Sequence, residues 1–507
     1  MLTALPALDP ARLFAGIDFA SSPTVLVAVS GGGDSIALLS LLARHLPPSR
    51  LAAVTIDHAL RPGSAAEAED VGRFCQNLGI RHSISTWEGQ KPATGLSAAA
   101  RDARYRLLSK AAHELGATML FAGHTQDDQA ETVTMRSARG EGRGLAGMSP
   151  ATLLDGRLWL MRPLLGVRRE ALRDYLRMSG IGWVDDPTNE DESYERVRVR
   201  RRLADPAAFA DAIRIAGQAA QERERLGEAA ASLIATAVSP LPGLIRIEAN
   251  ALLKAERGAA VYALRLMLAT AGGTGHLPDE TRVAALVERL REPALRASLS
   301  RSTVERRKGG IYLRREARGL PEPHAAADGE IWDGRYRLGN IEGTIVAPLG
   351  TSHAAGAARA VADAPPALAR AAAATWPALF RSDECLGRID GQADVKLPPP
   401  LTPPHKGEGG ADVSESPSPL WGGVRGGGIN IGEGDGTAED SERPPASVIG
   451  LPRIPPSPGR PVAVPVAAPF ARLLPSFDLA PALALARLIG GELPPPSPYA
   501  GHSAPRP

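Results

Sequence analysis

The chain has 507 residues, of which 44% are hydrophobic and only 4% aromatic, with 53 Gly, 45 Pro and a formal charge of +2. That near-neutral balance excludes a globally basic nucleic-acid binder, so any surface for a polyanion has to be local. Two cysteines far apart, Cys75 and Cys385, exclude a disulfide framework, a zinc cluster or a CxxC redox pair. No apolar run reaches membrane-spanning length, so no membrane partner and a cytoplasmic location are expected.

Met1 to Asp18 lacks the basic-then-apolar order of a secretory leader. From Thr24 to about Gly182, strands alternate with helices. Val25–Val29 is a β-branched run, followed by a Gly-rich turn and an apolar helix from Ile36 to Leu46. Ala52–Ile56 is a second strand, Ala65–Leu78 a helix, and Ile84 marks a weaker third strand. A helix over Ser97–Leu115, a strand over Thr118–Ala122 and a helix over Gln129–Ser137 follow. A strand near Leu158–Leu160 and a helix over Arg168–Met178 complete the series. Apolar strands between helices indicate a doubly wound parallel sheet of five strands covered on both faces.

Residues 206–385 read as a smaller, mainly helical accessory domain with a few strands, among them Gly310–Leu313. Residues 386–460 collapse to Pro, Gly and Ser and read as a disordered linker. Residues 461–507 form a tail in which Phe470–Ile489 regains enough apolar content for one docking helix. Within the linker, the segments 400–409 and 417–426 are related in an unusual way. Codons exist by which the reverse complement of the first, read one frame over, encodes much of the second. An inverted DNA repeat inserted between Leu397 and about Ile431 would leave that trace; an ordinary Pro/Gly linker is the alternative. The gene sequence decides between them.

The strongest chemical signal is Ser30-Gly31-Gly32-Gly33-Asp34-Ser35, between a strand and a helix. Glycines let backbone N–H groups approach an anion, and the helix N-terminus adds partial positive charge. Ser30 and Ser35 add hydroxyl donors. Asp34 is unsuited to phosphate itself; it would hold a Mg2+ bridging the phosphates, or cap the helix. A Walker-type GxxxxGK[ST] does not occur, and no GxGxxG follows this strand. The hexapeptide resembles the PP-loop of enzymes that cleave ATP to AMP and pyrophosphate. This resemblance implies an adenine nucleotide α-hydrolase-like domain over residues 1–205, with ATP at Ser30, Gly31, Gly32, Gly33, Asp34 and Ser35.

Further segments narrow the resemblance. Ile56-Asp57-His58-Ala59-Leu60-Arg61-Pro62 ends the second strand, and Arg101 and Arg104 lie three apart on one helix face beside Tyr105. Arginine suits bidentate binding of phosphate or carboxylate, though alone these two would read as a solvated face. His124-Thr125-Gln126-Asp127-Asp128-Gln129-Ala130-Glu131-Thr132 follows the fourth strand. Off the carboxyl ends of parallel strands it can share a crevice with the Gly loop. Its carboxylates would suit a metal or an incoming amine, or Asp127 or Asp128 simply caps the helix. Arg139 to Met148 is a Gly-rich loop with two guanidinium groups, Arg139 and Arg143. Arg162-Pro163-Leu164-Leu165, then Asp186-Pro187-Thr188-Asn189, precede five arginines between Arg196 and Arg202, a local footprint for a phosphate backbone.

Together these segments resemble the tRNA(Ile)-lysidine synthetases, strongly over residues 22–203 and weakly beyond. The resemblance implies ligation of free L-lysine to C2 of the wobble cytidine of a tRNA(Ile) with a CAU anticodon. ATP is split to AMP and pyrophosphate, with Mg2+ as cofactor. It implies catalytic roles for Asp34, Asp128 and Arg104, and lysine or substrate contacts from Asp127, Asp128, Glu131 and His124. Arg139, Arg143, Arg196 and Arg200 would meet the tRNA. The family's Asn after the first arginine of the strip is Val197 here, which leaves the strip's detailed role open. A homodimer is left open as well. A 2-thiocytidine synthetase shares the loop but relies on clustered cysteines, which this chain lacks; a non-catalytic tRNA-binding module would not need the intact loop with Asp127-Asp128. A second basic stretch, Arg306-Arg307-Lys308 with Arg314, Arg315 and Arg318, reads as a solvated face.

Overall fold

A computed structural model describes residues 8–60, 63–140, 142–185, 195–341, 343–358, 364–381, 384–388 and 462–499. Arg61-Pro62, Asp186-Pro187-Thr188-Asn189 and the proposed insertion Leu397–Ile431 lie outside them.

After a short helix α1 (Pro10–Leu13), the N-terminal unit runs in chain order through β1 (Val25–Ala28), α2 (Gly33–His45), β2 (Leu51–Asp57), α3 (Ser64–Asn77) and β3 (Arg81–Thr86). It continues with α4 (Leu96–Glu114), β4 (Met119–Ala122), α5 (Gln126–Ser137), β5 (Ala151–Leu154), β6 (Leu158–Met161), α6 (Arg169–Met178) and α7 (Glu195–Arg202). Strands β6-β4-β1-β2-β3 are mutually parallel, as expected for five strands. Alternation along β1 explains the two-faced packing. Val25 and Val27 point into the core under α2 and α6, and Leu26 points into the core under α4. The chain runs outward from β1 to β3 and then returns to lay β4 on the other side of β1. That reversal opens a crevice at the carboxyl ends of β1 and β4, where such sheets bind ligands.

The accessory region opens with the 30-residue α8 (Pro206–Ala235), started by Asp205 as N-cap and Pro206 in the first turn. It continues with β7 (Val238–Leu241), β8 (Leu244–Ile247), α9 (Ala249–Lys254), α10 (Arg257–Gly272), α11 (Glu280–Arg289), β9 (Leu295–Leu299), β10 (Ser302–Arg307) and β11 (Gly310–Arg315). Then follow β12 (His324–Ala325), β13 (Ile331–Trp332), β14 (Tyr336–Gly339), β15 (Ile345–Pro348), α12 (Gly350–Ala358), α13 (Pro366–Ala373), β16 (Pro377–Arg381) and β17 (Glu384–Arg388). It carries more strand than the mainly helical reading anticipated: three antiparallel sheets, one of them ordered β7-β8-β11-β10-β9. Short strands interrupted by Pro and Gly gave little periodicity to read. Its second basic stretch is largely committed to ion pairs. Arg307 and Arg314 pair with Glu305, and Arg315 with the buried Asp333.

The C-terminal segment is stitched into both units. β18 (Val462–Pro465) pairs with β14, β19 (Leu473–Pro475) extends the N-terminal sheet beyond β5, and α14 (Leu479–Ile489) packs along α8. The expected docking helix is thus one of several elements in this tail. Between β19 and α14, the carboxylate of Asp478 is 5% exposed and pairs with Arg143 and Arg223; it also accepts a hydrogen bond from Tyr262 at 3.0 Å. Burial would push this carboxyl up, but the two guanidinium groups outweigh it and hold it below its usual range. Asp478→Ala leaves two largely buried guanidinium groups without their anion. It is expected to destabilise the fold by about 3–5 kcal/mol, read as a lower denaturant midpoint.

Candidate active site

The Gly-rich loop is shaped by its own side chains. Ser30 donates its N–H to Ser35 Oγ (3.1 Å), and Ser35 Oγ donates to the Gly32 carbonyl (2.9 Å). Gly31 has φ +84°, a left-handed conformation that a side chain would strain. Gly32 caps α2, so the first N–H groups of that helix point into the crevice with Asp34 in the first turn. The segment after α6 braces the loop: Val184 donates its N–H to the Gly31 carbonyl (3.0 Å), and the Trp183 indole lies against Gly33. The end of β4 closes in from the other side. A Cβ on Gly123 would lie 2.8 Å from the Asp34 carbonyl oxygen, so only glycine permits this approach of two backbones.

The motif after β4 resolves into distinct roles. Thr125, rather than either aspartate, is the N-cap of α5, in a capping box with Asp128. Asp128 Oδ2 accepts from Thr125 N (2.8 Å), which leaves Oδ1 facing the crevice. Asp127 turns to the neighbouring helix, where its Oδ2 accepts the backbone N–H of Arg169 (2.7 Å) and Arg168 Nε (3.3 Å). Glu131, one turn on, is 1% exposed and accepts from Arg196 Nε (2.6 Å), Arg200 Nε (2.9 Å) and Arg169 Nη1 (3.3 Å).

Arg169 holds this centre together. Its Nε donates to Asp34 Oδ2 (3.1 Å), its Nη2 to Asp128 Oδ1 (3.1 Å) and its Nη1 to Glu131 Oε1 (3.3 Å). One guanidinium thus joins the Gly loop to the carboxylates of α5. Burial pushes the Asp34 carboxyl above its ordinary value despite the opposing pull of Arg169. Arg196 also reaches Asp128 Oδ1 (2.9 Å). Val197 is buried, which accounts for an apolar residue in the arginine strip.

A second, cationic group surrounds His124. Arg162 is buried and donates to the Ser149 carbonyl (2.7 Å) and Thr152 Oγ1 (2.9 Å). Arg101 and Arg104 lie 5.0 and 5.3 Å from the Tyr105 ring centroid. Burial alone would raise the Tyr105 phenol, but Arg162, Arg101 and Arg104 together bring it down to about 8. A phenol depressed from about 10 contributes stability that is full above its unfolded value and is lost as pH falls through about 8. Absorbance titration is therefore expected to show one tyrosine ionising near pH 8, moved back toward 10 by Arg162→Met. His124 is driven well down by burial and then by the same arginines, so its ring is neutral, and its Nδ1 has no hydrogen-bond partner. His58 is also lowered by burial and stands edge-on to Trp87 with centroids 6.0 Å apart.

The expected residues therefore divide. Asp34, Asp128, Glu131, Arg196 and Arg200 meet at one point, and Arg104 and His124 belong to the adjoining cationic wall. Asp127 supports the start of α6. Arg139 pairs with Glu195 at the surface, and Arg143 is turned inward to Asp478 and Tyr262. Arg162 was named only as part of Arg162-Pro163-Leu164-Leu165, without a role of its own, and Arg169 was not singled out from the sequence. One signal was available: an arginine opening a helix opposes the helix dipole, and such a position needs nearby acids to hold it.

The model for the PP-loop domain family matches residues 11–207. A tRNA(Ile)-lysidine synthase of Mesorhizobium japonicum is 46% identical over 520 residues, an alignment covering 99% of this chain and all of that protein. That of Rhizobium meliloti is 41% identical, covering 65% of this chain and 76% of its own length. That of Brucella melitensis biotype 2 is 40% identical, covering 68% and 80%.

Proposed function

The chain belongs to the tRNA(Ile)-lysidine synthases of the PP-loop class, and we infer that it joins free L-lysine to C2 of the wobble cytidine of a CAU-anticodon tRNA(Ile) at the expense of ATP. The observation that carries this reading is the meeting of two unlike surfaces. An anion-receiving loop, Ser30 to Ser35, touches a carboxylate cluster, Asp34, Asp128 and Glu131, through the Arg169 bridge. A triphosphate suits the first and an ammonium group the second.

In the first step the cytidine C2 oxygen attacks the α-phosphorus, and the bond to the β-phosphate oxygen breaks, releasing pyrophosphate. The N–H groups at the start of α2 and the Ser30 hydroxyl hold the phosphates in line, while Ser35, its hydroxyl donated to the Gly32 carbonyl, keeps the loop in shape. In the second step the lysine ε-amine attacks C2, and the C2–O bond breaks to release AMP. The amine must lose a proton, and the Asp128 carboxylate, which suits the ammonium group, can take it; burial and the surrounding arginines suppress the basicity of His124, so that ring serves as a neutral wall rather than a base. The cationic wall of Arg104 and Arg162 offsets charge developing on the departing phosphate. The anticodon base is single-stranded, so unstacking it costs little.

Asp34 offers the hard oxygen that Mg2+ prefers, and Mg2+ is commonly held by one or two carboxylates plus substrate phosphates. Bound there, it would neutralise phosphate charge. The side chains of Arg196 and Arg200 are 46% and 35% exposed, which supports their meeting the tRNA backbone. No helix among the described residues is long and apolar enough to cross a membrane.

The decisive assay is incorporation of radiolabelled lysine into an unmodified tRNA(Ile) transcript. AMP rather than ADP is the expected nucleotide product, and sustained, multiple-turnover pyrophosphate release should require both tRNA and lysine. Sulfur transfer instead of lysine incorporation would overturn the reading; the thiol of Cys75, buried and raised to about 11, gives no support for it. Deleting Leu397–Ile431 is expected to leave this turnover nearly unchanged.

A further inference from the structure

The carboxylates that suit lysine's ammonium are already occupied. Four acids and four arginines meet here: Asp34, Asp127, Asp128 and Glu131 against Arg168, Arg169, Arg196 and Arg200. The count is balanced. A further cation entering beside Asp128 and Glu131, 14% and 1% exposed, would leave an uncompensated positive charge in the sheltered part of the cluster unless a resident one moved away.

Arg169 is the resident built to move. Its main chain is pinned, because its N–H is bonded to Asp127 Oδ2 at 2.7 Å and the preceding Arg168 guanidinium stacks 3.8 Å above the Phe209 ring. Its side chain reaches across to three carboxylates on two other segments, Asp34 of the loop helix and Asp128 and Glu131 of α5. Arg196 and Arg200 continue to neutralise Glu131 whether or not Arg169 is present. Asp34 lies in the first turn of the helix that receives the phosphates. An incoming triphosphate therefore competes with Asp128 for the same guanidinium, and it offers a larger charge with bidentate geometry.

We propose that Arg169 is a latch that orders substrate binding. Without nucleotide its guanidinium fills the place that lysine's ε-ammonium takes in the reaction. The triphosphate draws it away from Asp128, and lysine binds second. Rotation about the long side chain is enough, since the backbone stays capped by Asp127. The apparent affinity for lysine is then reduced by the fraction of molecules whose latch is closed. This inference rests on lysine being the amine substrate.

The test is equilibrium dialysis of radiolabelled lysine against the full-length chain. The arms hold no nucleotide, Mg2+ alone, or α,β-methylene ATP with Mg2+, an analogue that cannot be cleaved at the reacting bond. The wild-type protein is expected to retain lysine at least about tenfold more tightly with the analogue than in the other two arms. Arg169→Met is expected to retain it tightly in every arm, and Arg169→Gln serves as the second neutral variant should the first not fold. Arg169→Lys, which keeps the charge, should keep the dependence on nucleotide. Equal wild-type retention with and without nucleotide overturns the latch, and so does full retention with Mg2+ alone. A neutral variant that folds yet stays as weak as the nucleotide-free wild type also overturns it. Absence of retention by any protein in any arm, even with tRNA added, removes lysine as the ligand; nucleotide-independent retention removes the latch alone.

Discussion

Asp34→Ala is expected to lower lysidine formation on the order of a thousandfold while the protein remains folded. Asp34 has no role in the core; its side chain is 22% exposed and contacts Arg169. Its loss removes the carboxylate of the Gly-rich loop and one of three anchors on Arg169. The remaining anchors, Asp128 and Glu131, keep that guanidinium in place, so the thermal midpoint should move little. Pyrophosphate release in single-turnover mixtures is the appropriate readout, because it reports the first chemical step before lysine attacks. Near wild-type release would remove Asp34 from the reaction. Gly123→Ala attacks the same point from the other loop. Its Cβ cannot be seated 2.8 Å from the Asp34 carbonyl oxygen without a backbone shift, so it should mimic the Asp34 variant with less stability.

Glu131→Ala is expected to act in the opposite sense, on folding before chemistry. Its carboxylate is 1% exposed and answers three guanidinium groups, from Arg169, Arg196 and Arg200. Removing the central anion from a buried ionic group costs about 3–5 kcal/mol, because the partners stay behind unpaired. Glu131→Gln should lose most of the same stability despite its shape, which separates charge from packing. A denaturation midpoint unchanged in both variants would show that solvent, not Glu131, neutralises these arginines.

Four of the five parallel strands were legible because each is a short apolar run, and β-branched Val25 and Val27 leave little else for that segment to be; β3 is polar and was marked only by Ile84. The Gly loop was legible because it combines a strand, glycines and a helix start within a few residues. The antiparallel β5 was not, since Ala151–Leu154 reads equally well as the end of a glycine-rich connection. The partition of Asp127 from Asp128 was equally hidden. It depends on α6 arriving beside α5, a tertiary fact that places one carboxylate on a backbone N–H and the other on side chains. Arg143 looked like a free loop cation for a similar reason, because its partner Asp478 lies 335 positions away. Motifs of adjacent residues state which groups are present; which group faces which is decided by helices that meet only in three dimensions.

The pairing of β19 with β5 has a consequence for how the polypeptide is made. Leu154 is matched to Leu473, so the rim of the nucleotide-binding sheet is finished by residues that leave the ribosome long after β5 has been made. At about 5–20 residues per second, tens of seconds separate synthesis of the two strands. Throughout that interval β5 presents unpaired amide and carbonyl groups, the kind of border to which other extended chains adhere. Nascent chains stalled or cut before this closing strand should therefore be found in aggregates or on chaperones rather than as free, half-active enzyme.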